Sequence, residues 1–221
     1  MSTVILSCSS LERYVDAAQA KMNTDYPVIY VDKSLHSEPK RMKDRLEEIM
    51  RELEEDVDTV LAAMGYCGGS WEKIAHRQRL VIPCVDDCIT LFLHTGDERC
   101  LNKKEAGHMY ICDKTAEGDR LSIPGIRRRL LEEYGERNGT MVFEAWFKPY
   151  HDVDVIDTGC YDCHSEEFLT FARESADLIL ADLHYVDGSN RLLEKLVGGE
   201  WDEQFVVVPP EKELTLFDFI N

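Results

Sequence analysis

The sequence predicts an α/β fold of Rossmann-like type, with a mainly parallel sheet and helices on both of its faces. In the first half of the chain, short apolar segments alternate with segments of helical periodicity. That order is typical of parallel strands joined by right-handed helical crossovers. The apolar segments are apolar throughout, rather than alternating with polar residues, as expected for strands that are covered on both faces.

The first hundred residues contain four predicted strands and the helices that join them. One helix is predicted after Ser10, and a second begins at Pro39, because proline suits the first turn of a helix. A short third helix is predicted over residues 71–77. A fourth helix, over residues 89–94, has Asp86 or Asp87 as its cap. The four strands are predicted at residues 3–6, 27–31, 60–64 and 80–83.

The second half of the chain has a less regular pattern. Strands are predicted at residues 108–112, 141–147 and 205–208, and helices at 122–134, 165–180 and 189–197. We interpret residues 1–221 as a single α/β domain, with two closely packed lobes divided near residues 95–120 as the alternative.

Composition excludes several classes of function. The 221 residues include 43 acidic and 25 basic side chains, a net charge of −18, which disfavours binding to nucleic acid or to an anionic membrane surface. No apolar segment approaches the roughly 20 residues of a membrane-spanning helix, and the N-terminus lacks the pattern of a signal peptide. We therefore expect a cytoplasmic protein, in which the eight cysteines stay reduced.

The predicted strand ends carry groups that bind metals. Ligands of parallel sheets bind beyond the carboxyl ends of the strands, and these positions hold Cys8, His36, Cys67 and Cys88, with Cys84 as a weaker candidate. Neighbouring strands lie about 4.8 Å apart, so side chains from adjacent ends can reach one ion. The sequence therefore predicts a metal site at this edge, with zinc as the ion and an iron–sulfur cluster as the alternative.

Each of these residues also has a simpler interpretation. A single cysteine is more often a small buried apolar side chain than a ligand, and His36 fits a solvated turn as well as a metal site. Cys160 and Cys163 with His164 form a CxxCH motif that fits a structural role, a redox pair or half of a metal site. Cys100 and Cys112 lie in no metal-binding pattern.

Several short segments together resemble one family over nearly the whole chain. They are Cys8, residues 35–39 (LHSEP), 65–69 (GYCGG), 83–89 with its DDC, 187–188 (DG), 199–202 (GEWD) and 209–210 (PP). They resemble an uncharacterised domain-of-unknown-function family of methanogenic archaea and anaerobic bacteria. Its members are often encoded near corrinoid-dependent methyltransferases, which implies a link to methyl transfer. The resemblance supports Cys8, His36, Cys67 and Cys88 as site residues. This chain has Cys84 and Asp86 where the family usually has a basic residue and a histidine.

Three functions follow as hypotheses. The first is a zinc protein, with an open metal position suited to methyl transfer involving a thiol or a corrinoid protein. The second is an iron–sulfur protein that acts in electron transfer or in activation of a corrinoid protein. The third is a non-catalytic protein that binds a methyltransferase or corrinoid subunit through the acidic segment 44–58.

Overall fold

A computed structural model describes residues 2–113 and 121–220 of the chain. In chain order, the first elements are β1 (Ser2–Cys8), α1 (Glu12–Met22), β2 (Val28–Val31), α2 (Pro39–Glu52), β3 (Val57–Ala63), β4 (Arg79–Pro83), α3 (Cys88–Leu93) and β5 (His108–Ile111). They are followed by α4 (Ile123–Phe147), β6 (Asp152–Asp157), α5 (Glu166–Ile179), β7 (Asp182–Asp187), α6 (Arg191–Gly198), β8 (Phe205–Val208) and α7 (Phe217–Ile220).

The chain forms two units. The first contains the residues up to Lys103 and those from Ser189 onward, and the second is Lys104–Gly188. The chain therefore leaves the first unit once and returns to it. Whether the chain is best counted as one domain or as two lobes stays a prediction. In the described ranges, no helix has both the length and the apolar character needed to cross a membrane.

The first unit is built on a five-stranded sheet in the order β2-β1-β3-β4-β8. The first four strands are parallel, and β8 runs antiparallel to β4. The chain moves outward from β1 to β2 and then crosses back to β3 on the other side of β1. The strand order thus reverses between β1 and β3, the position at which ligands of open α/β sheets bind.

Helices cover both faces of this sheet. Met42, Leu46, Ile49 and Met50 of α2 pack on one face, where they join the buried even-numbered residues of β1 and β3. Side chains alternate along a strand, so the buried odd-numbered residues such as Ile5 point to the other face. There α1 and α6 pack side by side and contact β1, β3 and β4. The predicted fold class is therefore confirmed.

The second unit has a three-stranded sheet in the order β5-β6-β7, parallel throughout. Helix α4 joins β5 to β6, and α5 joins β6 to β7. One face of the sheet is apolar, because Met109, Val153 and Leu183 pack with residues of α4 and α5. The opposite face carries polar side chains near the amino-terminal ends of the three strands.

Two of the predicted elements were wrong. Residues 71–77 form turns rather than a helix, because Lys73 has a left-handed backbone (φ 55°) and its N–H donates to the carbonyl of Leu214. Residues 141–147, predicted as a strand, continue α4. Phe143 and Phe147 are buried there at helical spacing, while Met141 and Trp146 are exposed.

Candidate functional site

Cys8 is the last residue of β1 and is buried, with 4% of its surface exposed. The Ser10 hydroxyl donates to its Sγ across 3.1 Å. Between them, the Ser9 Oγ accepts the backbone N–H of Lys33 at 3.0 Å. This bond ties the turn after β1 to the turn after β2 and fixes the position of the Cys8 thiol at the sheet edge.

Cys67 follows β3 and begins a 3-10 helical turn with a left-handed backbone (φ 49°). Its N–H donates to the Asp86 carbonyl at 2.7 Å, and the N–H of Tyr66 donates to the Val85 carbonyl at 2.9 Å. The loop after β3 is thus hydrogen-bonded to the loop after β4. Cys67 has little freedom to move away from the residues that precede α3.

Gly65 makes this contact between the loops possible. A Cβ at this position would lie 2.7 Å from both the backbone N and the Cα of Asp87. Backbone atoms cannot yield to such a contact as a flexible side chain can. The glycine before Cys67 is therefore required for the two loops to approach this closely.

Burial and nearby charges act on the Cys67 thiol. Burial raises its pKa to about 12, and the charges of Asp87 and Cys8 add to the increase. The Cys67 sulfur is therefore protonated at neutral pH unless a metal ion displaces the proton.

Cys88 is the first residue of α3 and is partly buried. Asp87 caps this helix, because its Oδ1 accepts the N–H groups of Ile89 and Thr90, each at 3.0 Å. Of the two predicted caps, Asp87 is the one that caps the backbone, while Asp86 accepts the hydroxyl of Thr90 at 2.5 Å. Cys88 thus directly follows the carboxylate that acts on the Cys67 thiol.

His36 lies on the next strand end, in the 3-10 helix Lys33–Ser37 that follows β2, and it is exposed. Asp32 begins that turn by accepting the N–H of Ser34 at 2.7 Å. Cys84, the weaker candidate, points into the core instead: it is buried, and its thiol donates to the Phe219 carbonyl at 3.2 Å. Cys84 therefore has a structural role.

Three groups of described residues have donor atoms close enough to hold one metal ion. In each group, one donor atom per residue lies within 4.8 Å of the others. The groups are His108, His151 and Asp152; Asp152, Asp182 and His184; and Asp157, Cys163 and His164. The predicted set of Cys8, His36, Cys67 and Cys88 is not among them and stays a prediction.

The sequence matches one known family. Residues 30–197, more than half of the chain, match the family described as "Protein of unknown function (DUF1638)". The chain belongs to this family. Within this DUF1638 protein, the matched residues include His36, Cys67, Cys88 and the whole second unit, whereas Cys8 precedes them. No curated protein and no solved structure matches the chain significantly.

The three groups in the second unit of this DUF1638 protein contain residues that sequence reasoning missed. Only Cys163 and His164 were singled out, through the CxxCH motif. Cys163 is buried against Val155 and Phe168, and burial raises the pKa of its thiol. The missed histidines and aspartates share no local spacing that would indicate a metal site. The alternation of acidic and apolar residues over Asp152–Asp157, however, is typical of a strand with one polar face.

Proposed function

We propose that this DUF1638 protein is a cytoplasmic metal protein that binds zinc through the thiols of Cys8, Cys67 and Cys88. One observation carries the proposal: Cys8 ends β1 and Cys67 lies in the loop after β3, the two adjacent parallel strands between which the strand order reverses. This is the position at which open parallel sheets bind their ligands.

The donor atoms suit zinc. Zinc would displace the protons of these thiols, and the thiolates formed are soft ligands that select zinc or iron–sulfur clusters over magnesium or calcium. The hydrogen bonds between the loops after β3 and β4 hold Cys67 beside the start of α3, where Cys88 lies. Three protein ligands would leave one coordination position open, as in catalytic zinc sites. We propose that His36, exposed after β2, lies near this site without filling the open position.

Methyl transfer is the reaction we propose for the site. Its support is the resemblance to a family encoded near corrinoid-dependent methyltransferases, so a thiol substrate and a corrinoid or methyltransferase partner are the proposed reactants. A bound zinc ion supplies the Lewis acidity that holds a substrate thiol as its thiolate. Among the chain's own residues, Ser10 orients the Cys8 sulfur and Asp87 fixes the start of α3.

Zinc titration of single-cysteine variants tests the proposal. We expect Cys67→Ser to lower zinc affinity at least tenfold in oxygen-free calorimetry, because a hydroxyl replaces a soft ligand. Cys100→Ser is the matched control in the same unit, since the Cys100 thiol donates to the Asn102 carbonyl and lies outside the site. Equal zinc affinity in both variants would contradict the proposed ligand set.

An iron–sulfur cluster is the second candidate. The observation that favours it is the donor set itself, since Cys8, Cys67 and Cys88 offer sulfur alone while His36 is exposed. A brown protein whose visible absorbance fades in air would support the cluster. A colourless protein that contains stoichiometric zinc would exclude it.

A further inference from the structure

The polar face of the second sheet brings imidazoles and carboxylates together. His108, Asp152 and Asp182 are register partners across β5, β6 and β7, and Asp154 pairs with His184 in the row two residues further along. Residues two apart on a strand share a face, so these five side chains project to the same side. That side is opposite to the one that packs against α4 and α5.

Asp152 is the centre of this group. Its Oδ2 lies 2.6 Å from the Nδ1 of His151 and 3.4 Å from the Nε2 of His108. Its Oδ1 lies 2.8 Å from the Nε2 of His184. One partly buried carboxylate therefore contacts three imidazole nitrogens. It shares one candidate metal group with His108 and His151, and another with Asp182 and His184.

Asp154 orients one of these imidazoles. This carboxylate is buried, and its Oδ2 lies 2.7 Å from the Nδ1 of His108. In neutral His108, the Nδ1–H donates to Asp154, so the Nε2 lone pair is directed away from it, on the side of Asp152. Carboxylates orient metal-binding histidines in the same way, by accepting the N–H of the nitrogen that is not bound to the metal.

The spacing between His108 and Asp152 suits an ion. The Nε2 of neutral His108 and the Oδ2 of Asp152 both carry lone pairs, and they lie 3.4 Å apart. Either a proton on His108 or a bound metal ion removes the repulsion between the two lone pairs. Ligands of a tetrahedral zinc ion, with bonds of about 2.0–2.1 Å, lie roughly 3.3 Å from each other. The observed separation fits two ligands of one ion.

Gly107 lies directly against the His151 ring. Its backbone is left-handed (φ 87°), and a Cβ there would lie 2.8 Å from the Cδ2 and 2.9 Å from the Cε1 of His151. The Gly107 carbonyl also accepts the N–H of His151 at 2.9 Å. The absence of a side chain at residue 107 thus makes room for the His151 ring, which faces solvent with 67% of its side chain exposed.

We propose that His108, His151 and Asp152 form a second metal site, in which a metal ion replaces the proton shared by the Nδ1 of His151 and the Oδ2 of Asp152, which lie 2.6 Å apart. The exposed His151 side chain can turn so that these two atoms reach the roughly 3.3 Å that separates ligands of one zinc ion, and the Nε2 of His108 is the third ligand atom. Asp154 is the positioning residue for His108, and His184 holds the other oxygen of Asp152. Imidazole nitrogens select zinc and similar divalent transition metals over magnesium and calcium. The site does not depend on the thiol site of the first unit, and it would bind the ion through nitrogen and oxygen alone.

Zinc titration of the full-length protein tests this site. We expect His151→Gln and Asp152→Asn each to remove one class of zinc binding in calorimetry. Asp154→Asn should weaken the same class about 10–100-fold, as expected for a residue that orients a ligand. X-ray absorption of the bound zinc identifies nitrogen and oxygen neighbours here, whereas the thiol site would give sulfur neighbours.

Two comparisons make the outcome unambiguous. His151 is exposed, so its substitution leaves the fold intact even if Asp154→Asn fails to fold. His164→Gln is the matched control, because His164 is an exposed histidine of the same unit in a different group. The proposal would be overturned if His151→Gln and Asp152→Asn left zinc binding unchanged. It would also be overturned if zinc binding were lost only in His164→Gln. Loss of the sulfur-bound zinc alone would affect only the proposed thiol site.

Discussion

At the scale of the residue, Gly65 controls the distance between the loops after β3 and β4. We expect Gly65→Ala to lower the free energy of unfolding by about 1–3 kcal/mol, because its Cβ meets the Asp87 backbone at 2.7 Å and the loop must shift. The same shift moves Cys67, so zinc affinity at the thiol site should fall as well. Urea denaturation and zinc calorimetry measure the two effects.

Gly159→Ala is the control for this change. Its backbone is also left-handed (φ 71°), but an added Cβ would have no neighbour within 4 Å. The substitution should therefore carry only the cost of the backbone conformation, about 1–2 kcal/mol, and leave the thiol site unchanged. An identical loss of zinc affinity in both variants would contradict the role assigned to Gly65.

His94 makes stability depend on pH. Burial lowers its pKa below the usual 6.5, while its Nε2–H donates to the Cys100 carbonyl at 2.8 Å. The unfolded chain therefore takes up a proton at His94 more readily than the folded chain. The stability contributed by neutral His94 is complete above pH 6.5 and is lost as the pH falls below that value.

Comparison with His94→Gln isolates this effect from the other histidines. We expect the free energy of unfolding of the unsubstituted protein to fall more than that of the variant between pH 7.5 and pH 5.5. Urea denaturation at the two pH values measures it. A parallel decrease in both proteins would show that His94 does not have a lowered pKa.

At the scale of the element, α4 is two helical segments joined at Gly135, whose backbone (φ 75°, ψ 166°) is not helical. A Cβ at Gly135 would have no neighbour within 4 Å, whereas one at Gly139 would lie 2.5 Å from the Leu130 carbonyl oxygen. Gly135→Ala carries the cost of its left-handed backbone alone, about 1–3 kcal/mol. We expect Gly139→Ala to lower the thermal midpoint more, since its Cβ meets backbone of the preceding segment, which cannot yield. The reverse order would contradict this packing.

The sequence predicted the apolar strands of the first sheet and β5 of the second, but it missed β6 and β7. β6 alternates acidic and apolar residues, and β7 is largely exposed, so neither resembles a strand buried on both faces. The turns at residues 71–77 have Trp71 and Ile74 buried at helical spacing, and only the left-handed Lys73 prevents a helix. The residue type lysine does not indicate a left-handed backbone, so this turn could not be predicted from the sequence.

At the scale of the whole molecule, the two proposed metal sites differ in how far the sequence predicts them. Parallel strands bring successive carboxyl ends to one edge, so Cys8 and Cys67 are expected together as soon as the strands are identified. The site of His108, His151 and Asp152 depends instead on the register of β5 and β6 and on the bend at Gly107. Neither follows from residue spacing.

Metal analysis of the protein purified without air tests the central claim most directly. We expect zinc in the protein, with about one equivalent per chain lost when Cys8, Cys67 and Cys88 are all replaced by serine. Circular dichroism of the variant would show that the fold is retained. Two results would contradict the proposed thiol site. One is the absence of both zinc and iron, with all eight thiols free to react after unfolding. The other is a zinc content that the triple substitution leaves unchanged.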